Sequence, residues 1–236
     1  VWKPRTRPGS FEGQGTKALP WLQKVKKETG LLTAVEVGNA QHAKLALEFD
    51  IGILWIGART TVNPFTVQEI ADALKGTDKV VLVKNPINPD LELWIGAIER
   101  LYTSCNKNIG HIHRRFSKFR KTKYRNIPNW QIPIDLKIKY PTLPIINDPS
   151  HICGEREGIF DVAQTALDLK FDGLMIETHC HPDQAWSDAK QQITPQRLVE
   201  ITENLRVRRE TFEQEESLVK LQALRKEIDA LDAQLL

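Results

Sequence analysis

The chain has 236 residues, 41% hydrophobic and 27% charged, the composition of an ordinary globular protein and enough for one α/β barrel. A formal net charge of +3 is too mild to imply nucleic acid as a partner, although local cation clusters can still take small anions. No run approaches the ~20 apolar residues of a bilayer span and no signal-peptide pattern stands at Val1, so no membrane partner is expected.

In chain order, Lys17 to Thr29 has a helical pattern and Thr33 to Val37 reads as a strand. Residues 39–49 are helical in pattern, Ile53 to Gly57 a strand, Pro64 to Lys75 a helix and Val80 to Lys84 a strand. Asp90 to Thr103 is amphipathic, and Ile109 to His113 is a weaker strand. The Lys/Arg- and Pro-rich stretch 116–142 is read as helix with loop. Leu143 to Asn147 then forms a strand, Phe160 to Lys170 a helix, Gly173 to Glu177 a strand and Thr194 to Thr211 a helix. Short continuous apolar runs alternating with helical patterns indicate parallel strands covered on both faces. The fold expected is an α/β (β/α)8 barrel that lacks its first unit. An open doubly wound sheet is the alternative, weakened by the absence of a dinucleotide glycine fingerprint.

The tail differs. Leu221, Leu224, Ile228, Leu231 and Leu235 recur at 3-4-3-4 spacing, a heptad seam that needs a partner. The organisation expected is a barrel over 1–209, a linker over 210–217 and the start of an all-α helical module over 218–236. The chain begins without Met inside a motif and ends inside a helical pattern, so it reads as a piece cut at both ends. Cys105, Cys153 and Cys180 are odd in number and widely spaced, which fits reduced thiols in a cytoplasm.

The candidate chemistry lies at the strand ends, which in a parallel barrel open onto one face. His151 follows the run Leu143–Ile146, Glu177 ends the run Gly173–Ile176, and Asp188 follows shortly after. Three metal-competent side chains one β-α unit apart suggest a divalent metal site. Lys3 and Arg5, Arg59, Lys84, and Arg114 with Arg115 place cations at four further strand ends. Buried cations without anions are costly, so a ring of them implies bound phosphate or carboxylate groups. Each has a plainer reading alone. Lys84 fits a surface lysine, Arg59 a helix cap or a partner of Glu36, Arg114 and Arg115 a solvated basic stretch, and Glu177 an ion-pair partner. His179 and His181 read as solvent-facing, and alternation turns Cys180 away from them as a packed thiol.

As a set, Lys3-Pro4-Arg5-Thr6, Gly57-Ala58-Arg59, Lys84, Asp148-Pro149-Ser150-His151, Gly173 to Glu177 and Ser187-Asp188 resemble the metal-dependent 3-deoxy-D-arabino-heptulosonate 7-phosphate (DAHP) synthases. The resemblance runs from Val1 to about Arg206. It implies an aldol-type condensation of phosphoenolpyruvate with erythrose 4-phosphate at the head of the shikimate pathway. It implies His151, Glu177 and Asp188 as ligands of a divalent metal (Mn, Fe, Co or Zn), and Lys84 with His151 as catalytic residues. Lys3, Arg59, Lys84 and Arg114 would hold phosphoenolpyruvate, and Arg5 and Thr6 the phosphate of erythrose 4-phosphate. The family's fourth ligand, a Cys in Gly-Pro-Cys-Ser, does not occur here and is expected upstream of Val1. The residue after the family Arg is usually Gly, whereas here it is Arg115.

Residues 224–232 resemble the opening of the first helix of the all-helical chorismate mutases, with Arg225 matching a chorismate-binding Arg. A homo-oligomer formed through this module is expected, and a plain oligomerisation helix is the other reading. The functional alternatives are a 3-deoxy-octulosonate 8-phosphate synthase, another phosphate-binding aldolase barrel, or a non-catalytic barrel that binds a phosphorylated metabolite.

Overall fold

The computed structural model describes residues 1–5, 7–104, 107–117, 128–208 and 215–235. Thr6, Cys105 and residues 118–127 lie outside the described residues, as do 209–214. Two compact units are present, Val1–Leu205 and Arg206–Leu236.

The first unit alternates strand and helix. After α1 (Leu19–Thr29) come β1 (Ala34–Val37), α2 (Ala40–Glu48), β2 (Ile53–Ile56), α3 (Pro64–Ala73), β3 (Val80–Lys84), α4 (Leu91–Ser104) and β4 (Ile109–His113). They are followed by α5 (Gln131–Lys139), β5 (Ile145–Asn147), α6 (Pro149–Cys153), α7 (Ile159–Asp168), β6 (Gly173–Leu174) and α8 (Pro195–Asn204). The strands form one parallel sheet in the order β1-β2-β3-β4-β5-β6. Strictly sequential order separates a barrel from a doubly wound sheet, in which the order reverses at a switch point. The order continues past β6. Thr178 bridges Ile193 in parallel, His179 N–H donates to Ile193 O at 2.9 Å, and Ile193 N–H donates to Glu177 O at 3.1 Å. Among the described residues the barrel is not closed.

The sheet's two faces divide the labour. Val35, Val37, Leu54, Ile56, Val81, Val83, Ile109 and Ile145 are buried and pack with Ile70, Trp94, Ile98 and Leu101 of the helix layer. The alternate residues Glu36, Trp55 and Lys84 turn to the other face, where they line a cavity. Side-chain caps start the helices. Asn39, Asn63, Asp148 and Thr194 accept backbone N–H groups of α2, α3, α6 and α8, and Pro occupies the first turn of the last three.

Three elements differ from the sequence reading. The strand expected over Gly173–Glu177 pairs with β5 only at Gly173 and Leu174, because β5 gives way to α6 after Asn147. That helix is itself unpredicted, since five residues are too few to show a period. The helix expected to reach Thr211 ends at Asn204, where Leu205 turns to extended backbone. The second unit is α9 (Glu215–Leu235), whose Leu224, Ile228 and Leu231 are exposed.

Two histidines of β4 are fully buried toward the helix layer. His111 meets the Trp94 ring edge-on at 5.8 Å, and neither ring nitrogen has a hydrogen-bond partner among the described residues. His113 Nε2–H donates to Pro128 O at 2.6 Å, and its Nδ1 accepts from Asn147 Nδ2 at 3.0 Å. Burial pulls both down to about 4. Below about pH 6.5 the unfolded chain therefore binds protons that the folded protein refuses. Stability should be flat above that pH and fall toward pH 4, by roughly 3 kcal/mol per histidine. Urea unfolding across this range checks it, and His111→Gln should remove about half of the slope.

Candidate active site

Asp148 occupies the turn between β5 and α6 and has no access to solvent. Its carboxylate accepts the His151 N–H at 3.1 Å as the cap of α6. It also contacts His151 Nδ1 at 2.9 and 3.0 Å and Lys84 Nζ at 3.0 Å. Burial alone would raise its pKa, but His151, Lys84 and Arg114 outweigh burial and hold it far below the usual carboxylate range. An ionised carboxylate only accepts, so Nδ1 of His151 donates its proton to Asp148. Nε2 faces Glu177 Oε1 at 3.9 Å.

Glu177 is set by two neighbours. Its N–H donates to Ser150 Oγ at 3.0 Å, and Gln191 Nε2 donates to its Oε2 at 2.7 Å. Asp188 sits in the left-handed region at φ 51, a conformation that Asp tolerates better than most residues. Lys3 Nζ lies 2.7 Å from Asp188 Oδ2 and 3.8 Å from Glu177 Oε1, and Arg5 reaches Asp188 at 3.3 Å. Against the opposing effect of burial, these cations lower the pKa of Asp188.

Lys84 is buried, with Nζ 5.7 Å from the centre of the Trp55 ring. Arg114 is 6% exposed. Its backbone N–H donates to Asn85 Oδ1 at 2.6 Å, while its buried Nε has no acceptor among the described residues. Burial lowers its pKa, with Asp148 opposing.

These side chains share one small cavity of about 80 Å³, lined by Lys3, Arg5, Arg59, Lys84, Arg114, Arg115, His151, Asp188 and Glu36. Six cations and two carboxylates line it, and Asp148 and Glu177 reach Lys84 and Lys3 as well, so cations outnumber the carboxylates around it. A cavity of about 630 Å³, lined by Glu177, Met175, Trp55, Trp2 and Trp186 among others, also includes Lys3, Lys84 and His151. Gly57 makes room for Glu36, because a Cβ there would collide with the Glu36 carboxylate.

The structure thus brings Lys3, Arg5, Arg59, Lys84, Arg114, His151, Glu177 and Asp188 to one mouth. Arg225 lies on α9 in the second unit. Cys180 corrects the reading as a packed thiol. It is exposed, with Sγ 4.0 Å from His179 Nδ1, because the strand alternation that would have turned it inward stops at Leu174. Cys153 is buried in an apolar cluster with Ile152 and Ile159, and burial pushes it up to about 12. Sequence reasoning missed Gln191 and Trp55, neither of which belongs to a charged motif. It quoted Asp148 without seeing that three partners converge on it.

The donor set fits a divalent cation. It offers an imidazole nitrogen whose partner nitrogen is tied to a carboxylate, together with two further carboxylates. Among the described residues no three His, Cys, Asp or Glu side chains stand close enough to hold an ion as placed. The Lys3 ammonium lies between Glu177 and Asp188 and offsets part of their charge.

Sequentially ordered parallel strands with a cationic mouth at their carboxyl ends define an α/β barrel protein whose cations stand beside a metal-competent trio. The chain belongs to the DAHP synthetase I family, whose sequence model matches residues 1–214. Members of that family are generally metal-dependent. A phospho-2-dehydro-3-deoxyheptonate aldolase of Thermotoga maritima is 30% identical over 207 residues, 87% of this chain and 59% of that protein. The chain therefore spans about three fifths of the length of this relative. A crystal structure of the Thermotoga maritima DAHP synthase superposes with a TM-score of 0.77 at 26% identity, over 87% of this chain and 57% of that one. A truncated form from the same organism gives a TM-score of 0.72 at 24% identity, over 94% and 75%, and shows likeness of fold alone.

Asp148→Ala should cost about 3–5 kcal/mol in urea unfolding, because it strands the buried Lys84 ammonium and uncaps α6. Lys84→Met combined with Asp148→Ala should recover part of that loss.

Proposed function

We propose that the chain forms the substrate-binding mouth of a DAHP synthase, joining phosphoenolpyruvate to erythrose 4-phosphate. The observation that supports this best is the small cavity in which six cations, including Arg114 with its orphaned Nε, adjoin His151 and Asp188. In the reaction, C3 of phosphoenolpyruvate bonds to the aldehyde carbon, a water oxygen adds at C2, and the phosphate departs as inorganic phosphate. Arg59 and Arg114 grip the phosphate and carboxylate of phosphoenolpyruvate, and Lys3 and Lys84 add point charges beside them. Arg5, joined by Thr6 in the family pattern, takes the sugar phosphate.

The cation ring lowers the cost of holding two polyanions side by side. Lys84, fixed by Asp148 and Trp55, presents a proton at Nζ to the substrate. His151, Glu177 and Asp188 would hold a divalent metal (Mn, Fe, Co or Zn), which would supply Lewis acidity toward an aldehyde oxygen. The fourth, cysteine ligand of the family pattern has no counterpart in Cys153 or Cys180.

The same reading takes residues 1–209 as the barrel, 210–217 as linker and 218–236 as the opening of a chorismate mutase module that carries Arg225. The helical α9, with its stripe of exposed Leu224, Ile228 and Leu231, supports a partnered helix there and a homo-oligomer built on it. A cytoplasmic location belongs to this reading. Among the described residues no helix is long and apolar enough to cross a membrane.

Phosphate release from phosphoenolpyruvate should require erythrose 4-phosphate and a divalent metal, and should stop with chelator. Arg114→Ala should raise the KM for phosphoenolpyruvate at least tenfold. Turnover of arabinose 5-phosphate instead would replace the assignment with the octulosonate enzyme, and binding of phosphoenolpyruvate without turnover would favour the non-catalytic barrel.

A further inference from the structure

Asp188 and Gln191 reach the mouth from one loop that strand pairing does not hold. The loop runs from Asp183 to Gln192, between the bridge residues Thr178 and Ile193. One side chain from outside fastens it at three points. Arg156 Nε donates to Gln192 O at 2.8 Å, and its Nη2 donates to Ala189 O at 3.0 Å and to the Asp183 carboxylate at 2.5 Å. These contacts fall on both sides of Asp188. Arg156 stands in the turn between α6 and α7, which is closed at each end by a left-handed glycine, Gly154 at φ 72 and Gly158 at φ 83. That turn follows directly on the helix that carries His151.

We propose that Arg156 is a positioning residue for the His151, Glu177 and Asp188 trio, an inference that rests on reading the trio as a metal site. Its guanidinium sets the spacing between the helix bearing His151 and the loop bearing Asp188. Through the same loop it places Gln191, whose side chain orients Glu177 at 2.7 Å. All three members are thereby registered to one planar, five-donor group. A lysine at this position keeps the charge opposite Asp183 but cannot span both backbone carbonyls in the same geometry. Arg156 is not among the residues that line the small cavity.

The test uses Co²⁺ alone, read by titration calorimetry and by the visible absorption of the bound ion, with Arg156→Ala, Arg156→Lys, Asp183→Asn and His151→Ala compared with the parent protein. Arg156→Ala should bind Co²⁺ at least tenfold more weakly and with altered absorption bands, the range that lost outer contacts typically cost. Arg156→Lys should recover part of the affinity, and Asp183→Asn should lose less than Arg156→Ala. In metal-free protein, amide exchange at Gln191 should accelerate in Arg156→Ala. Should Arg156→Ala not fold, the lysine and Asp183→Asn variants carry the same comparison. Parent-like Co²⁺ affinity and bands in the Arg156 variants, with binding lost in His151→Ala, would overturn the role of Arg156 alone. Parent-like binding in His151→Ala would overturn the trio and this proposal with it.

Discussion

Asp148 is a carboxylate sealed from water that meets a lysine ammonium, an imidazole and a helix N-terminus at once. Each partner alone repays part of the cost of burying the charge; together they make the ionised form the stable one. In return Asp148 decides three things. It starts α6 at the end of β5, holds Lys84 at the floor of the mouth, and turns Nδ1 of His151 toward itself and Nε2 toward Glu177. Lys84 comes from β3 and His151 from beyond β5, so this one group ties the site across the sheet.

Around that floor the mouth is a problem in charge balance. Lys3, Arg5, Arg59, Lys84, Arg114 and Arg115 face one small cavity, and the carboxylates nearby are too few to neutralise them. Lys3 and Arg5 spend their charge on Asp188 and, for Lys3, on Glu177. Cations and metal-competent carboxylates thus hold one another in place. On the function proposed, anionic substrates and a cation would compete for both halves of that pairing. Phe11 and Trp186, in edge contact at 5.2 Å, join the loops from which Arg5 and Asp188 come.

Much of this was legible in the sequence because the signals are local. Val80–Lys84 is a continuous apolar run ending in a charge, and it forms a strand with that charge at its end. Asp148-Pro149-Ser150-His151 is a compact motif, and a cap followed by proline makes it a helix start. Other features were illegible for equally physical reasons. Gln191 acts on Glu177 across 14 positions, and an amide in a loop has no periodicity to betray it. The period of Gly173–Glu177 is that of a strand, but pairing needs a neighbour, and β5 stops at Asn147. Cys180 followed the same failed extrapolation to the wrong face.

By itself the sequence determined the α/β alternation, the family motifs and which charges stand at strand ends, since these depend on short-range periodicity and residue chemistry. Only the tertiary structure decided the sequential strand order, the convergence of cations from four segments on one cavity and the choice of Asp148 as the hub. Those are outcomes of packing between residues far apart in the chain, such as Lys84 and Asp148, 64 positions apart, whose affinity exists only once burial has stripped both of water.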